Sequence, residues 1–123
     1  LLHGDAGADS ISGGYGWDTL IGGHGNDTLD GSYDADVLTG GAGADVFVIG
    51  TDFMIMLNGD TITDFDHGEG DLLLANDIVM ADAMRSSAFA EGTGVRMFYG
   101  PQSVYIEGVQ TTDVSADWFI AVC

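Results

Sequence analysis

A nine-residue period runs without interruption through residues 4–48 and limits what this chain can fold into. The five units read GDAGADSIS, GGYGWDTLI, GGHGNDTLD, GSYDADVLT and GGAGADVFV. Their first position is always Gly, their sixth is always Asp, and their eighth is always large and apolar. A short fixed period of this kind is the sequence signature of a solenoid, in which each unit stacks on its neighbours.

Each unit is expected to form a turn followed by a short strand. Gly at the first, second and fourth positions permits positive φ angles and close backbone approach, which a tight loop with inward-facing carbonyl groups requires. The last three residues, such as Thr19-Leu20-Ile21, are expected to form a strand with its middle side chain buried. Two units then make one coil, with turns on alternate sides and two parallel sheets between them.

The sixth-position aspartates create a repulsion that the chain alone does not relieve. Stacked coils place the Asp of one unit about 4.8 Å from the Asp two units further along. Two carboxylates at that spacing repel by about 3.5 kcal/mol at an effective dielectric of 20. A hard dication between successive turns reverses the sign of this interaction, and an all-oxygen flexible loop favours Ca²⁺ over Mg²⁺.

The overall charge excludes several classes of function. The chain has 123 residues, with 20 Asp plus Glu against 2 Lys plus Arg, and a formal net charge of −18. Recognition of phosphate needs a Lys/Arg surface, so nucleic acids and the anionic face of a membrane are excluded as partners. One Cys, Cys123, leaves no disulfide framework and no thiolate zinc site. Because 46% of the residues are hydrophobic, the chain is still apolar enough to fold.

The units resemble the glycine-rich nonapeptide of the RTX (repeats-in-toxin) family, which is a Ca²⁺-binding β-helix repeat. Further along, GDTITDF (residues 59–65) and VYIEGVQTTDVSADWFI (residues 104–120) are similar to the C-terminal regions of serralysin-type and related secreted RTX proteins. The resemblance implies an all-β fold. A right-handed parallel β-roll, a calcium-binding β-solenoid, is expected over residues 1–48, and a capping segment over residues 49–123.

The resemblance also implies the ligands of several calcium ions, roughly three to five. In the family, the carbonyl groups of positions one and three serve one ion, those of positions two and four serve another, and the Asp bridges both. By position, Asp9 pairs with Asp27, Asp27 with Asp45, and Asp18 with Asp36. The implied ligands are, turn by turn, Gly4, Ala6 and Asp9; Gly13, Gly14, Tyr15, Gly16 and Asp18; Gly22, Gly23, His24, Gly25 and Asp27; Gly31, Ser32, Tyr33, Asp34 and Asp36; and Gly40, Gly41, Ala42, Gly43 and Asp45.

Two units depart from the glycine pattern. Asp5 replaces the second Gly of the first unit, and Ser32 and Asp34 replace the second and fourth Gly of the fourth unit. Asp enters the left-handed region of φ/ψ space more readily than most residues, so we expect these turns to form.

Beyond residue 48 the nine-residue period stops, and the sequence predicts a cap of antiparallel strands with one short helix. Within this segment, Asp60 and Asp64 are expected to complete a calcium site beside Asp36, on the side of the even-numbered turns. The predicted elements are a loop over 49–59, strands over 61–65 and 71–74, a helix from 76 or 77 to about 91, and a hairpin of 95–99 with 104–109.

The sequence contains no catalytic motif. It has no H-E-x-x-H, no G-x-S-x-G and no Walker loop. His3, His24 and His67 are scattered and are predicted to be surface residues, and Cys123 is interpreted as incidental. This chain is therefore predicted not to be an enzyme, and any catalytic activity is expected in a domain upstream of residue 1.

The predicted function is a calcium-dependent folding module in the C-terminal part of a larger secreted bacterial protein. Leu1 and Leu2 have the pattern of a strand end from a truncated repeat, which indicates a fragment. RTX proteins of this kind leave the cell through a type I secretion channel that reads an uncleaved C-terminal signal. The acidic and then apolar tail, residues 116–123, is interpreted as that signal, as a final strand, or as both. The expected partners are calcium ions, the type I secretion apparatus and an upstream domain, and the expected location is extracellular.

Two other functions stay open. One is a recognition or adhesion module for carbohydrate or another surface. Tyr15, Trp17 and Tyr33 occupy turn positions where rings can stack on sugars, although shielding of the turns is the favoured interpretation. With only Arg85 and Arg96, the chain lacks the basic groove that an acidic polysaccharide needs, unless Ca²⁺ bridges. The other is the C-terminal domain of a secreted hydrolase, such as a metalloprotease, whose folding it assists.

Overall fold

The structure is a computed structural model that describes residues 1–48, 59–75, 87–99 and 102–121. In these residues a sheet of seven strands and a sheet of five strands contain all the β-structure. The strands are β1 (Leu2–His3), β2 (Ser10–Ser12), β3 (Thr19–His24), β4 (Thr28–Asp30), β5 (Val37–Ala42), β6 (Val46–Val48), β7 (Gly59–Ile62), β8 (Leu72–Ala75), β9 (Phe89–Glu91), β10 (Gly94–Tyr99), β11 (Gln102–Glu107) and β12 (Phe119–Ala121). Short 3₁₀ turns lie at His67–Glu69, Thr111–Asp113 and Ala116–Trp118.

From β1 to β8, successive strands alternate between the two sheets, which confirms the predicted β-roll. β1, β3 and β5 pair in parallel in one sheet, and β2, β4 and β6 pair in parallel in the other. Leu20 is aligned with Leu38, and Leu29 with Phe47, so one coil of the roll consists of two nine-residue units.

The side chains at the eighth position form the core between the sheets. Leu20, Leu29, Leu38 and Phe47 are completely buried, and Ile11 packs against them in a partly buried position. Burial of each large apolar side chain stabilises the fold by roughly 2 kcal/mol. A slip of one residue would turn these side chains to the solvent face, so the core fixes the register of the strands.

The roll continues beyond residue 48 although the sequence period does not. β7 pairs in parallel with β5, and β8 pairs in parallel with β6. Ile62 and Leu73 extend the core and are completely buried. The segment predicted as an antiparallel cap therefore begins with one more coil, because a buried apolar residue in each strand preserves the stacking despite longer connections.

An antiparallel hairpin and a C-terminal strand complete the sheets. β10 pairs with β9 and with β11 in antiparallel fashion, which confirms the predicted hairpin, and β11 pairs in parallel with β7. β12 pairs in parallel with β8, so the tail does contain a final strand. Just before it, buried Trp118 packs on Phe65, with the ring centroids 4.6 Å apart.

The predicted helix is wrong at its C-terminal end. Phe89–Glu91 is strand β9, because each of its three residues pairs in antiparallel fashion with a residue of β10. Most of the rest of that predicted helix lies outside the described residues, as does the loop predicted over 49–59 except for Gly59, which begins β7. Within the part of the chain that the structure describes, no helix is long and apolar enough to cross a membrane.

Candidate metal centre

The turns of the repeats lie on two opposite edges of the roll and share one backbone conformation. In every turn the second and fourth residues have positive φ angles, between 71° and 122°. Asp5, Ser32 and Asp34 adopt this conformation too, so the turns form as expected where Gly is replaced. We name these edges the odd edge, with turns 4–9, 22–27 and 40–45, and the even edge, with turns 13–18 and 31–36.

The sixth-position aspartates stack in a ladder along each edge. On the odd edge, Asp27 Oδ1 accepts a hydrogen bond from the main-chain N–H of Asp9 at 2.9 Å, and Asp45 Oδ1 accepts one from Asp27 at 2.9 Å. On the even edge, Asp36 Oδ1 accepts from Asp18 at 2.8 Å. The structure thus brings together the three pairs that the repeat places side by side.

The second carboxylate oxygen of every repeat Asp is buried without a hydrogen-bond partner. Among the described residues, the buried side-chain atoms in this condition are Oδ2 of Asp9, Asp18, Asp27, Asp36 and Asp45. A buried polar atom without a partner is destabilising, and more so when it carries charge. Five such atoms at one position of a repeat indicate a site for a positively charged ligand.

Each of these oxygens faces a small space beside the first Gly of its own turn. A methyl group on Gly22 would lie 2.5 Å from both Asp27 Oδ2 and the Gly40 carbonyl oxygen. A methyl group on Gly4 would lie 2.7 Å from both Asp9 Oδ2 and the Gly22 carbonyl oxygen. Beside Gly4, Gly13 and Gly22, a carboxylate oxygen and a carbonyl oxygen of the next coil therefore converge. This all-oxygen cradle fits Ca²⁺, which takes roughly six to eight oxygen ligands.

Main-chain carbonyl groups contribute oxygen atoms to these cradles beside the aspartates. Among the described residues, no group of three or more His, Cys, Asp or Glu side chains could hold a metal ion by itself. The carbonyl oxygens of His24 and Ala42 each accept one hydrogen bond, from Gly7 N–H and Gly25 N–H at 2.9 Å. A carbonyl oxygen has two lone pairs, so such groups keep one for an ion.

Asp60 and Asp64 do not form one site, and that expectation is wrong. Asp60 lies on the even edge, where its Oδ1 accepts a hydrogen bond from the main-chain N–H of Asp36 at 2.9 Å. Asp64 lies on the odd edge, where its carboxylate accepts hydrogen bonds from the N–H groups of Gly40 and Gly41 at 2.9 and 2.7 Å. Asp60 lies within β7 and Asp64 lies two residues after its end, so the chain passes from the even edge to the odd edge between them.

Asp71 extends the odd-edge ladder and was missed by the sequence analysis. Its Oδ1 accepts a hydrogen bond from Asp45 N–H at 2.8 Å, and its Oδ2 accepts one from Asp66 N–H at 2.9 Å. Main-chain donors therefore satisfy both oxygens. A signal was present, because Asp71 precedes an apolar strand as every repeat Asp does, but the longer connection before it breaks the nine-residue count.

Burial raises the pKa of four carboxyls along the two edges. The pKa of Asp36 and of Asp45 is raised to about 6, and that of Asp60 to about 7. Loss of hydration on burial is the main cause, neighbouring carboxylates add to it, and the hydrogen bonds from the main chain oppose it. The pKa of Asp71 is also raised, chiefly by burial. Folding without a cation therefore favours proton uptake by these carboxyls.

We expect the calcium-free chain to gain β-structure on acidification. A carboxyl whose pKa is higher in the folded state stabilises the fold below its unfolded pKa, ordinarily 3.8, and loses this contribution as the pH rises through the folded value. With folded values of about 6 to 7, the loss falls between roughly pH 4 and pH 7. Far-UV circular dichroism in EDTA should therefore show more β-structure at about pH 5 than at about pH 7.5.

Saturating calcium provides the control for this experiment. Protons and Ca²⁺ occupy the same carboxylates of the folded state, so calcium should change the spectrum less at about pH 5 than at about pH 7.5, and in saturating calcium the two spectra should agree. Identical spectra in EDTA at the two pH values would contradict the pKa values given above.

Comparison with known proteins assigns the repeat to a family. The RTX calcium-binding nonapeptide repeat, in four copies, matches residues 1–29 and 21–52. The repeat segment belongs to the RTX family. This chain therefore contains a calcium-binding RTX repeat domain, and the cradles between its coils lie where that repeat places its turns.

Two solved structures resemble this chain along almost its whole length. The AlgE6R3 subunit of the Azotobacter vinelandii mannuronan C5-epimerase shares 27% identity with a TM-score of 0.63, and the match covers 97% of this chain and 80% of the subunit. The extracellular lipase LipA from Serratia marcescens shares 23% identity with a TM-score of 0.59 over 94% of this chain. The chain spans only 20% of the length of the lipase, so this second likeness shows the fold alone. None of the curated proteins compared with the chain matches its sequence.

Proposed function

We propose that this RTX domain is a calcium-dependent folding module of a secreted protein, unfolded where calcium is scarce and folded where calcium is abundant. The observation that carries this proposal is the set of five buried Oδ2 atoms without hydrogen-bond partners, all at one position of the repeat. Without a cation these oxygens and their mutual repulsion oppose folding. With a cation between the coils, the same oxygens become ligands.

The residues that would hold the ions lie between adjacent turns of one edge. On the odd edge they belong to the turn pairs 4–9 with 22–27 and 22–27 with 40–45, and on the even edge to 13–18 with 31–36. Bound calcium supplies the positive charge that offsets the stacked carboxylates. The chain positions its own oxygens through the positive-φ residues of each turn and through the strands, which fix the distance between coils.

The energy available from calcium is large enough to control folding. Extracellular calcium sites have dissociation constants of roughly 10⁻⁴–10⁻³ M, far above the free calcium concentration of the cytosol. At about ten times the dissociation constant, each site stabilises the folded state by roughly 1.4 kcal/mol. Three such sites, one for each turn pair, then contribute about 4 kcal/mol, which approaches the lower end of the stability of a whole domain.

We further propose that this switch serves export by a type I secretion apparatus. The domain would then fold outside the cell, C-terminal to an upstream domain of the same protein. A chain kept unfolded by lack of calcium can enter a narrow channel. In the folded state the tail forms β12, and Trp118 beside it is buried. We expect the secretion apparatus to bind a signal in the tail only while the chain is unfolded. The tail could then serve first as the secretion signal and, after folding, as the final strand.

A calcium titration followed by far-UV circular dichroism tests the folding proposal. At pH 7.5 in EDTA we expect the spectrum of a disordered chain, and in millimolar Ca²⁺ a cooperative change to a β-structure spectrum. Mg²⁺ at the same concentration is the control and should not replace Ca²⁺, because it demands a tighter octahedron and keeps its waters. A β-structure spectrum in EDTA at this pH that calcium leaves unchanged would refute the proposal.

A further inference from the structure

Three aromatic side chains belong to the even-edge turns, and we name them the aromatic platform: the exposed Tyr15 and Trp17 and the half-buried Tyr33. Trp17 is 85% exposed and Tyr15 is 80% exposed. The rings of Tyr15 and Tyr33 stack across adjacent coils, with centroids 4.4 Å apart and planes inclined by 12°. Large apolar rings gathered at one place on a surface mark a site of interaction.

The calcium ladder does not need these rings as a cover. The odd edge forms the same turns with Ala6, the exposed His24 and Ala42 at the position of the two tyrosines. Its ladder residues Asp27 and Asp45 are 1% and 0% exposed, and Asp36 on the even edge is 1% exposed. Since the ladder is equally buried with and without aromatic neighbours, shielding of the turns does not account for the platform.

An exposed carboxylate lies against the backbone of the turn that carries Tyr15 and Trp17. Asp34 Oδ2 accepts a hydrogen bond from the main-chain N–H of Gly16 at 2.9 Å, and Gly16 stands between Tyr15 and Trp17 in the chain. The flat apolar C–H face of a pyranose ring packs on an aromatic face, because its C–H groups meet the negative face of the ring. Sugar hydroxyl groups donate hydrogen bonds to a neighbouring carboxylate. The combination suits a sugar chain better than a purely apolar partner.

The negative charge of the chain favours uncharged polysaccharides over acidic ones. The net charge of −18 stays negative with roughly three to five Ca²⁺ ions bound, so it disfavours an acidic polymer even in calcium-saturated protein. Arg96, the only Lys or Arg among the described residues, is already paired with Glu91 at 2.8 Å. A basic peptide would be attracted by carboxylates over the whole surface and has no need of stacked rings at one place. We propose that the aromatic platform binds an uncharged polysaccharide of pyranose sugars.

Tryptophan fluorescence provides the test, because the chain contains two Trp residues in opposite environments. Trp17 is 85% exposed, whereas Trp118 is 4% exposed, so a ligand on the platform changes the emission of Trp17. Calcium-saturated protein is titrated with cellohexaose, xylohexaose and laminarihexaose. We expect a saturable blue shift with at least one of them. Trp17→Ala should abolish the shift and weaken binding, measured by calorimetry, at least tenfold.

Phe89→Ala is the matched control. Phe89 is also exposed, at 42%, and its ring stacks on Phe98 with centroids 5.6 Å apart, but it lies in β9 and not on the even edge. We expect the Phe89→Ala variant to bind the hexasaccharides with the same affinity as the unmodified chain. Circular dichroism in EDTA and in calcium, recorded for every variant, separates a failure of this proposal from a failure of calcium-dependent folding.

Four results would overturn the proposal. The first is no binding of any of the three hexasaccharides by a chain that folds with calcium. The second is binding that Trp17→Ala leaves unchanged. The third is tighter binding of an oligouronate or of oligolysine that depends on Trp17. The fourth is a calcium-dependent dimer that Trp17→Ala dissociates, which would assign the platform to contact between copies of this chain.

Discussion

Asp27→Ala should raise the calcium concentration at the folding midpoint about tenfold or more. Asp27 is 1% exposed, its Oδ1 accepts the N–H of Asp9, and its own N–H donates to Asp45. In the RTX pattern its carboxylate serves the ions on both sides of its turn. Removing it eliminates a hydrogen bond to a charged group, about 1.5–3 kcal/mol, and weakens two sites that contribute roughly 1.4 kcal/mol each.

The midpoint is measured by circular dichroism during calcium titration, with two comparison variants. Asp117→Ala makes the same change in net charge at an exposed position and should move the midpoint by less than about twofold. Asp27→Asn keeps an oxygen for the N–H of Asp9 while removing the charge, and should give an intermediate midpoint. Equal shifts for the two Ala variants would mean that total charge, and not the ladder, controls folding.

Gly41→Ala should destabilise the calcium-bound roll by about 2 kcal/mol more than Gly14→Ala. Both glycines occupy the second position of a turn, with φ angles of 91° and 83°. An added Cβ at Gly41 would overlap the carbonyl oxygen of Gly23 in the preceding coil, whereas at Gly14 it meets nothing within 4 Å. Gly14→Ala therefore reports the cost of a positive φ angle alone, roughly 1–2 kcal/mol. Gly41→Ala adds the cost of pushing two coils apart.

Urea unfolding of both variants in saturating calcium measures the difference. The pair is matched in residue type, turn position and φ angle, so close stacking of the coils is the remaining difference. An equal loss of stability in the two variants would contradict the close contact between turns. It would also weaken the inference that carboxylate and carbonyl oxygens converge between coils.

Asp60, Asp64 and Asp71 lie beyond the nine-residue repeat, and their positions on the two edges follow from the sequence only in part. The sequence predicts the correct edge for Asp60, because apolar and polar residues alternate along β7 as they do in the strands of the repeats. Asp64 was assigned to the wrong edge, and Asp71 was not assigned at all. Both residues lie in the connection between β7 and β8, which is longer than a repeat turn. Counting positions in steps of nine from residue 48 therefore does not predict their edge.

The nine-residue period by itself determined the parallel roll, the register of its strands, the buried core and the stacked aspartates of residues 4–48. It could do so because every contact there repeats at the spacing of one coil, and each unit carries its own turn, strand and core residue. Only the tertiary structure decided that the roll adds another coil, that Phe89–Glu91 is a strand, and that Asp71 closes the odd-edge ladder. These features depend on pairing between segments far apart in the chain, where buried surface and hydrogen-bond partners outweigh local preference.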